Sequence, residues 1–502
     1  VTPAAGGPGP AGVPGPAGGP GPADQGGSRR GTAGGPHLVP LGRTGWRLWR
    51  EGALRSTGFP ADGLLAICDR DLASAVDEAG GWQPEQAGLR AAYQAAAARL
   101  TAAVAAVAAD PAFREAVAWQ NPALIGSCLD KLVRGEPRNV RGRLHESTVV
   151  RYLQRYLLKN DTIGFFGPVG WVTLSPDLAD LRVRPGDGLL AGRTTHLEMW
   201  AADEFARALA GRPELSDWLI PRRAVAAALT GNVLRRPLRP PVQLTDAEAA
   251  LLGRCDGHRT VLEVTSAAAG AASRAASLRS LARLGQLGAV HIGLDGPVDS
   301  WPERALRRKL EAVGDQPARR TALASLDALT AARDALGAAR GAEEVVKRTD
   351  ELAAVFNEVT GAEPTRRPGE AYAGRTLAYQ DARRDVEVLV GRSVLGELAA
   401  PLGLLLDSAR WLVAAAAQRY RELLAACYQQ EAARSGSPDV PLGFLIASAA
   451  ADLTASGRGL PAPVRAAVSE FQQRWRRVLS WPDGARRHQA RSAGLAAAVA
   501  RE

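Results

Sequence analysis

The sequence predicts an α+β chain, mainly helical, with short β-hairpins and an embedded winged helix-turn-helix module. Three observations lead there. Long stretches repeat apolar residues at helical spacing, as at Val149, Leu153, Tyr156 and Leu157. Between them, glycine-bounded runs switch to strand-like alternation, as in "GFFGPVGWVTL" from Gly164 to Leu174. Residues 226–297 hold three short helical segments closed by the strand signal "LGAVHI". With 502 residues, 46% of them hydrophobic, the chain can build two or three domains around a large core.

The elements follow in order. Residues 1–40 are almost wholly Gly, Pro and Ala and have little to bury, so a disordered tail is expected. From Trp46 the pattern becomes globular, and "GWRLWREGALRSTGFP" places Leu48, Trp49 and Leu54 among cations before a Gly-x-Pro stop. Residues 86–109 and 112–135 read as helices. In the second, Asn121 is the expected cap, with Pro122 in the first turn. A further helix is expected over 143–159, then a turn and a strand at Trp171 to Leu174. In 226–297 the spacing predicts a helix opening at Thr245 or Asp246, a "CDGHRT" turn, a second helix near Thr260, a third over about 274–284, and a closing strand pair. Residues 298–502 read as helical apart from the island "EPTRRPGEAYAGRTLAYQDARRD" at 363–385.

Composition excludes several classes. The four cysteines form no C-x-x-C pair and the six histidines never approach ligand spacing, which argues against a zinc site and fits a reducing cytoplasm. Arg99 splits the alanine-rich run at 92–109, and Glu397, Pro401, Asp407 and Arg410 divide 394–417, so no membrane span is predicted. No apolar signal core opens the chain. A net charge of +10 and a pI near 9.9 favour polyanionic partners, nucleic acid first, although an arginine bias also follows from GC-rich coding.

The segment "RYLLKNDTIGFFGPVGW" concentrates candidate chemistry. Arg155 and Lys159, four apart, share one helix face near its C-terminus, where cations also complement the helix dipole. No Lys-Ser/Thr follows the three glycines, so this is not a phosphate loop. A structural hairpin and a ligand site both remain open on these residues alone.

Four stretches resemble, in order, the N-terminal part of the tRNA-dependent lantibiotic dehydratases. "YLQRYLLKNDTIGFFGPVGW" is similar to that family's R-x-x-x-R-P-T-P-F-G-L-F motif. "ALRSTGFP" resembles its early arginine segment, "QNPALIGSCLDKL" its A-S-P-x-L helix, and "LAYQD" its V-D strand, together covering most of residues 46–420. The resemblance implies transfer of glutamate from glutamyl-tRNA to Ser or Thr hydroxyls of a precursor peptide. Elimination is carried out by a separate domain or protein. It implies no cofactor beyond glutamyl-tRNA as cosubstrate, a cytoplasmic setting, and room for a homodimer.

Carried over residue by residue, Arg155 falls on the first motif arginine and Lys159 replaces the second, keeping charge but not the bidentate fork. Asp161-Thr162 stand at the Pro-Thr-Pro position, Gly164 and Phe166 match the F-G-L-F part, Arg55 matches the early arginine and Asp381 the V-D aspartate. The implied catalytic set is Arg155, Lys159, Thr162 and Asp381. Arg55, Arg155, Lys159, Arg375 and Arg384 are the implied binders of the tRNA end or glutamyl group. The ordinary readings are a surface cation at Arg55 beside Trp49, and Asp381 paired with Arg383 or Arg384. His196 is read as a capping or core residue.

Under the same resemblance, residues 41–225 form the N-terminal part of an aminoacyl-transfer domain and 298–502 its helical, incomplete remainder. Residues 226–297, with Asp256-Gly257-His258-Arg259-Thr260, resemble the leader-peptide recognition module of peptide-modifying enzymes. Family members continue well beyond the V-D strand, so either the rest is a separate polypeptide or the sequence is a fragment, and the chain alone could be inactive. Two other readings stay open. One is a ligase of the same fold that joins an amino acid to a peptide as an amide. The other is a non-catalytic leader- or DNA-binding protein.

Overall fold

A computed structural model describes residues 35–499 and 501, except 84, 161–163, 267–272, 367–375, 455–458 and 481–483. The expected tail lies almost wholly outside them, but ordered structure begins before residue 41. Leu38–Pro40 pairs antiparallel with Arg47–Trp49, and Val39 is buried.

A helical layer follows. Ala87–Ala109 forms one helix, as the spacing predicts. The expected 112–135 helix is corrected. Pro111–Gln120, capped by Asp110, stops at Asn121, and the chain resumes as a wide π-type turn over Ile125–Leu129 and a short helix over Asp130–Val133. Asn121 thus stands at both ends: its N–H donates to the Val117 carbonyl to close Pro111–Gln120, and its carbonyl accepts from Leu124 N–H as the next helical stretch opens behind Pro122, which has no N–H to continue the first ladder. Val140–Leu158 opens on the Asn139 cap and closes at Lys159.

A four-stranded mixed sheet sits against these helices, in the order Glu51–Arg55, Val169–Leu174, Ala378–Val390, Arg182–Leu197. Ala378–Val390 runs parallel to Val169–Leu174 and antiparallel to Arg182–Leu197, so a strand from late in the chain enters between two early ones. Helices Met199–Ala210, Pro302–Glu311, Gln316–Ala338 and Ala342–Thr360 complete the main core, where Phe113, Tyr156, Phe165, Phe205 and Phe356 are buried.

Residues 226–297 contain the expected helices as Asp246–Arg254, Val261–Ser266 and Arg274–Gln286, the first with a Thr245/Glu248 capping box. A second core of Leu234, Leu251, Leu252, Val264, Leu281 and Leu284 unites them. The strands differ from expectation. A three-stranded antiparallel sheet, Ala228–Thr230, Val233–Arg236 and Arg239–Gln243, precedes the helices. The closing strand Val290–Gly293 pairs with Ile220–Arg223, which lies before the expected boundary at 226. The winged arrangement therefore stays an expectation.

Beyond the mixed sheet, Arg392–Ser435 forms a 44-residue helix containing Pro401, against which Ala462–Leu479 packs through stacked Trp411 and Phe471 rings. Ala87–Ala109 and Arg392–Ser435 are long and apolar enough to cross a membrane by length and composition. Neither is a clear span. Arg99 sits mid-helix in the first, bonded to Asp69, and Glu397, Asp407 and Arg410 interrupt the second.

The cysteines give a direct check of the packing. Burial pushes the Cys128 and Cys255 thiols up to about 11, whereas Cys68 is exposed. At pH 8 a thiol of that pKa is about a thousandth ionised. Iodoacetamide followed by peptide mass mapping should therefore label Cys68 well before Cys128 or Cys255. Early labelling of Cys128 would contradict the core described around it.

Candidate functional site

The mixed sheet brings distant residues to one face. Arg55 is register-paired with Val169, Val169 with Arg383, and Arg383 with Gly192. Cross-strand partners project to the same side of a sheet, so Arg55 and Arg383 point the same way, roughly 10 Å apart across two strand spacings. Asp381 lies two residues from Arg383 and shares that side, and Tyr379 follows, paired with His196. Arg55, Asp381 and Arg383 are all exposed, so this is the outer face.

A register shift between Arg383 and Arg384 separates two consecutive arginines. Arg384 turns inward, and its guanidinium donates to the Ser56 hydroxyl (3.1 Å) and to the Thr57 carbonyl. Desolvation lowers its pKa from the ordinary arginine value. Arg384 thereby fixes the segment that leaves Arg55.

That segment lies on the end of the Val140–Leu158 helix. The Phe59 N–H donates to the Tyr156 carbonyl (3.4 Å), while the buried Tyr156 hydroxyl donates to Gln120 Oε1 (2.6 Å). Gly58 passes so close to the Phe166 backbone that a Cβ there would stand 2.2 Å from its carbonyl oxygen. Gly164 has a φ of +81° and opens the turn that sends Phe165 and Phe166 into the core. Arg155 is half-buried in the last helical turn, and Lys159 is exposed at its end.

The expected residues thus divide. Arg55 and Asp381 share the outer sheet face, and Arg384 ties Arg55's following segment from beneath. Arg155 and Lys159 stand at the helix end on which that segment rests. Thr162, Asp161 and Arg375 lie outside the described residues. Asp381 has His196 as its ion-pair neighbour rather than Arg383 or Arg384, with Nε2 3.7 Å from Oδ2. A cavity of about 870 Å³ lies elsewhere, lined by Leu72, Tyr93, Leu100 and the Asp69–Arg99 pair, and takes in none of these residues. Among the described residues no group of His, Cys, Asp or Glu could hold a metal ion.

One contributor escaped sequence reasoning. His196 is buried, as its core reading expected, yet it contacts Asp381 directly. Its ring lies between Trp301 (4.4 Å between centroids) and Tyr379 (5.2 Å, stacked). The only available signal was a histidine at the end of an alternating run in "RTTHLEMW", and its partners lie more than a hundred residues away.

The family described as "Lantibiotic dehydratase, N terminus" matches residues 109–434, well over half of the chain. No curated relative matches. Two solved structures share the fold. The glutamylation domain TbtB from thiomuracin biosynthesis gives a TM-score of 0.56 at 16% identity, over 89% of this chain and 65% of that one. The same domain bound to 5'-phosphodesmethylglutamycin gives 0.59 at 16% identity, with the same coverage. The tRNA dependent lantibiotic dehydratase MibB from Microbispora sp. 107891 gives 0.46 at 18% identity, over 61% of this chain and 30% of that one. At such identities the likeness concerns the fold, and the chain spans 65% of the TbtB domain's length.

Proposed function

Because the chain belongs to the lantibiotic dehydratase family, in its N-terminal region, we propose that it moves glutamate from glutamyl-tRNA to Ser or Thr hydroxyls of a precursor peptide. The observation that carries this reading is the sheet register that sets Arg55 and Asp381 on one exposed face. The helix end bearing Arg155 and Lys159 adjoins it through residues 56–60.

An aminoacyl ester is already activated, so such a site needs position and charge more than a strong base. The peptide hydroxyl attacks the ester carbonyl, its proton passes to the departing ribose oxygen, and a new ester forms. Arg55, Arg155 and Lys159 would hold the glutamate carboxylate and the terminal phosphates. Asp381 would orient the amino group or the accepting hydroxyl, with Thr162 as a hydrogen-bond donor and Arg375 as a further cation. Arg384, engaged with Ser56 and Thr57, acts by holding Arg55's segment. The elimination step falls to a partner.

The far C-terminal segment would supply a surface for the nucleic acid. From Ala462 to Glu502 eight arginines stand against three acids, half of the chain's net charge of +10. Arg476, Arg486, Arg487 and Arg491 are exposed. Replacing Arg486, Arg487 and Arg491 by serine is expected to weaken tRNA binding and to flatten the slope of log K against log salt by about 2–3. Filter binding between 50 and 200 mM KCl would check this, and an unchanged slope would place the tRNA elsewhere.

For 226–297 the peptide-binding reading is favoured over DNA reading by a specific observation. On the Arg274–Gln286 helix, Arg274 pairs with Asp217 and Arg283 with Glu248, so two of its three arginines already have acidic partners.

The deciding experiment mixes the folded chain, a precursor peptide from the same locus and glutamyl-tRNA, and reads intact peptide mass. A gain of one glutamyl unit is expected, lost in Arg155→Ala while leader binding persists. An unchanged mass with the cognate precursor would reject the transferase reading.

A further inference from the structure

We infer that the C-terminal helices carry a stacking site for one unpaired base of an RNA, separate from the aminoacyl face. The inference rests on the reading that this segment faces the tRNA, and it adds a place where a base, and not only the phosphate chain, is held.

The site is a small cavity of about 200 Å³ walled by Trp411, Phe471, Trp475, Val478 and Val499. The Trp411 and Phe471 rings are near parallel, 20° apart, with 6.4 Å between centroids. Trp475 stands edge-on to Phe471, and its indole N–H already donates to the Ser408 hydroxyl. The walls therefore offer rings and methyl groups more than free donors. A site for a whole drug-sized ligand takes roughly 300–1,000 Å³, so this smaller cavity suits a single planar ring system.

Cations interleave with the rings. Arg474 lines the same cavity and lies over Trp411 at 4.3 Å, steadied by Glu470 at 3.2 Å. Arg410 lies over Trp46 at 5.1 Å. Asp407 joins those two, accepting from the Trp46 indole (3.1 Å) and from Arg410 (2.9 Å). Arg476, Arg486, Arg487 and Arg491 are exposed on the same segment. An apolar side chain of a protein partner would use the rings and leave these charges idle. A nucleotide uses both, because its base stacks on aromatic rings and guanidinium planes while its phosphates meet arginine. Stacking reads the face common to every base, so the site holds a base without choosing among them.

Position separates this site from the reacting ester. Arg55 and Asp381 lie toward one end of the mixed sheet, and Glu51, Leu174 and Val390 mark the other. The Arg392–Ser435 helix leaves from the Val390 end, and Trp411 lies about 28 Å along it. Trp46, bonded to Asp407, precedes Glu51 at that same end. The base held here is therefore not the one that carries the amino acid but another on the same RNA.

The test uses a short single-stranded RNA of mixed sequence and its abasic counterpart, equal in phosphate number. Filter binding with the full chain should show the base-bearing strand held at least about fivefold more tightly. With 5-iodouridine in that strand, irradiation and peptide mapping should place a crosslink on Trp411, Phe471 or Trp475. Val499→Trp, which fills the cavity and leaves every arginine in place, should cut the preference to about twofold or less with the salt slope unchanged. Phe471→Leu should lower the preference likewise by removing a ring. Melting temperature, read alongside, reports folding.

Equal affinity for the two strands in the wild-type chain, no binding of either, crosslinks only outside the cavity, or an undiminished preference in folded Val499→Trp would overturn the inference. A cavity made for a partner's side chain would leave the two strands equal. Failure of the transferase reading is a separate result, since it shows in peptide mass. Failure of the tRNA surface shows in the salt slope of the variant lacking Arg486, Arg487 and Arg491, which the preference between strands does not enter.

Discussion

Asparagine at position 381 is expected to lower glutamyl transfer by about two to three orders of magnitude, the range found when one preorganised charge partner leaves a transfer site. Folding should be untouched, because the Asp381 side chain is 64% exposed and its backbone pairing with Thr194 needs no carboxylate. The measurement is single-turnover mass gain on the precursor with saturating glutamyl-tRNA, alongside leader affinity and melting temperature. Loss of transfer with both controls unchanged places Asp381 in the chemistry. Transfer within about threefold of wild type would move the site off this sheet face.

The second large effect concerns stability. Arg333 and Glu303 form an ion pair at 2.7 Å with both side chains more than nine-tenths buried. Arg333→Met removes one partner and strands the Glu303 carboxylate, one oxygen of which already lacks a hydrogen bond. The expected cost is about 3–5 kcal/mol, read as a lower urea midpoint. The double variant Arg333→Met with Glu303→Leu should recover most of that loss, because a hydrophobic pair leaves no charge to desolvate. If the double variant is as unstable as the single, the cation's stacking over Trp301 matters more than its charge partner.

Much was legible locally. The helix expected to open at Thr245 or Asp246 starts at Asp246 behind a capping box, and the helix expected over 143–159 from its apolar face runs Val140–Leu158 from an Asn139 cap. The break at Asn121 is equally local. Asn before Pro suits both a helix start and a helix end, and Asn121 serves as both, dividing the expected 112–135 helix in two. The closing strand of the 226–297 unit was found, but its partner was not. The Ile220–Arg223 strand carries the pairing N–H and C=O groups that every strand carries, with nothing in its side chains to advertise the match.

The chain's residue order alone sufficed for the helices, the glycine turn, the basic balance and the motif segments, since each follows from spacing, capping and charge within a few turns. What needed the folded molecule was the company those segments keep. Strand Ala378–Val390 enters between Val169–Leu174 and Arg182–Leu197, about two hundred residues upstream, and a one-residue slip would turn Asp381 from the outer face to the core. Backbone hydrogen bonds are the same for every pairing, so register is selected by burying Ala378, Gln380 and Ala382 against the helical layer. That collective choice, absent from any local pattern, is what sets Arg55 and Asp381 on one exposed face with His196 beside Asp381.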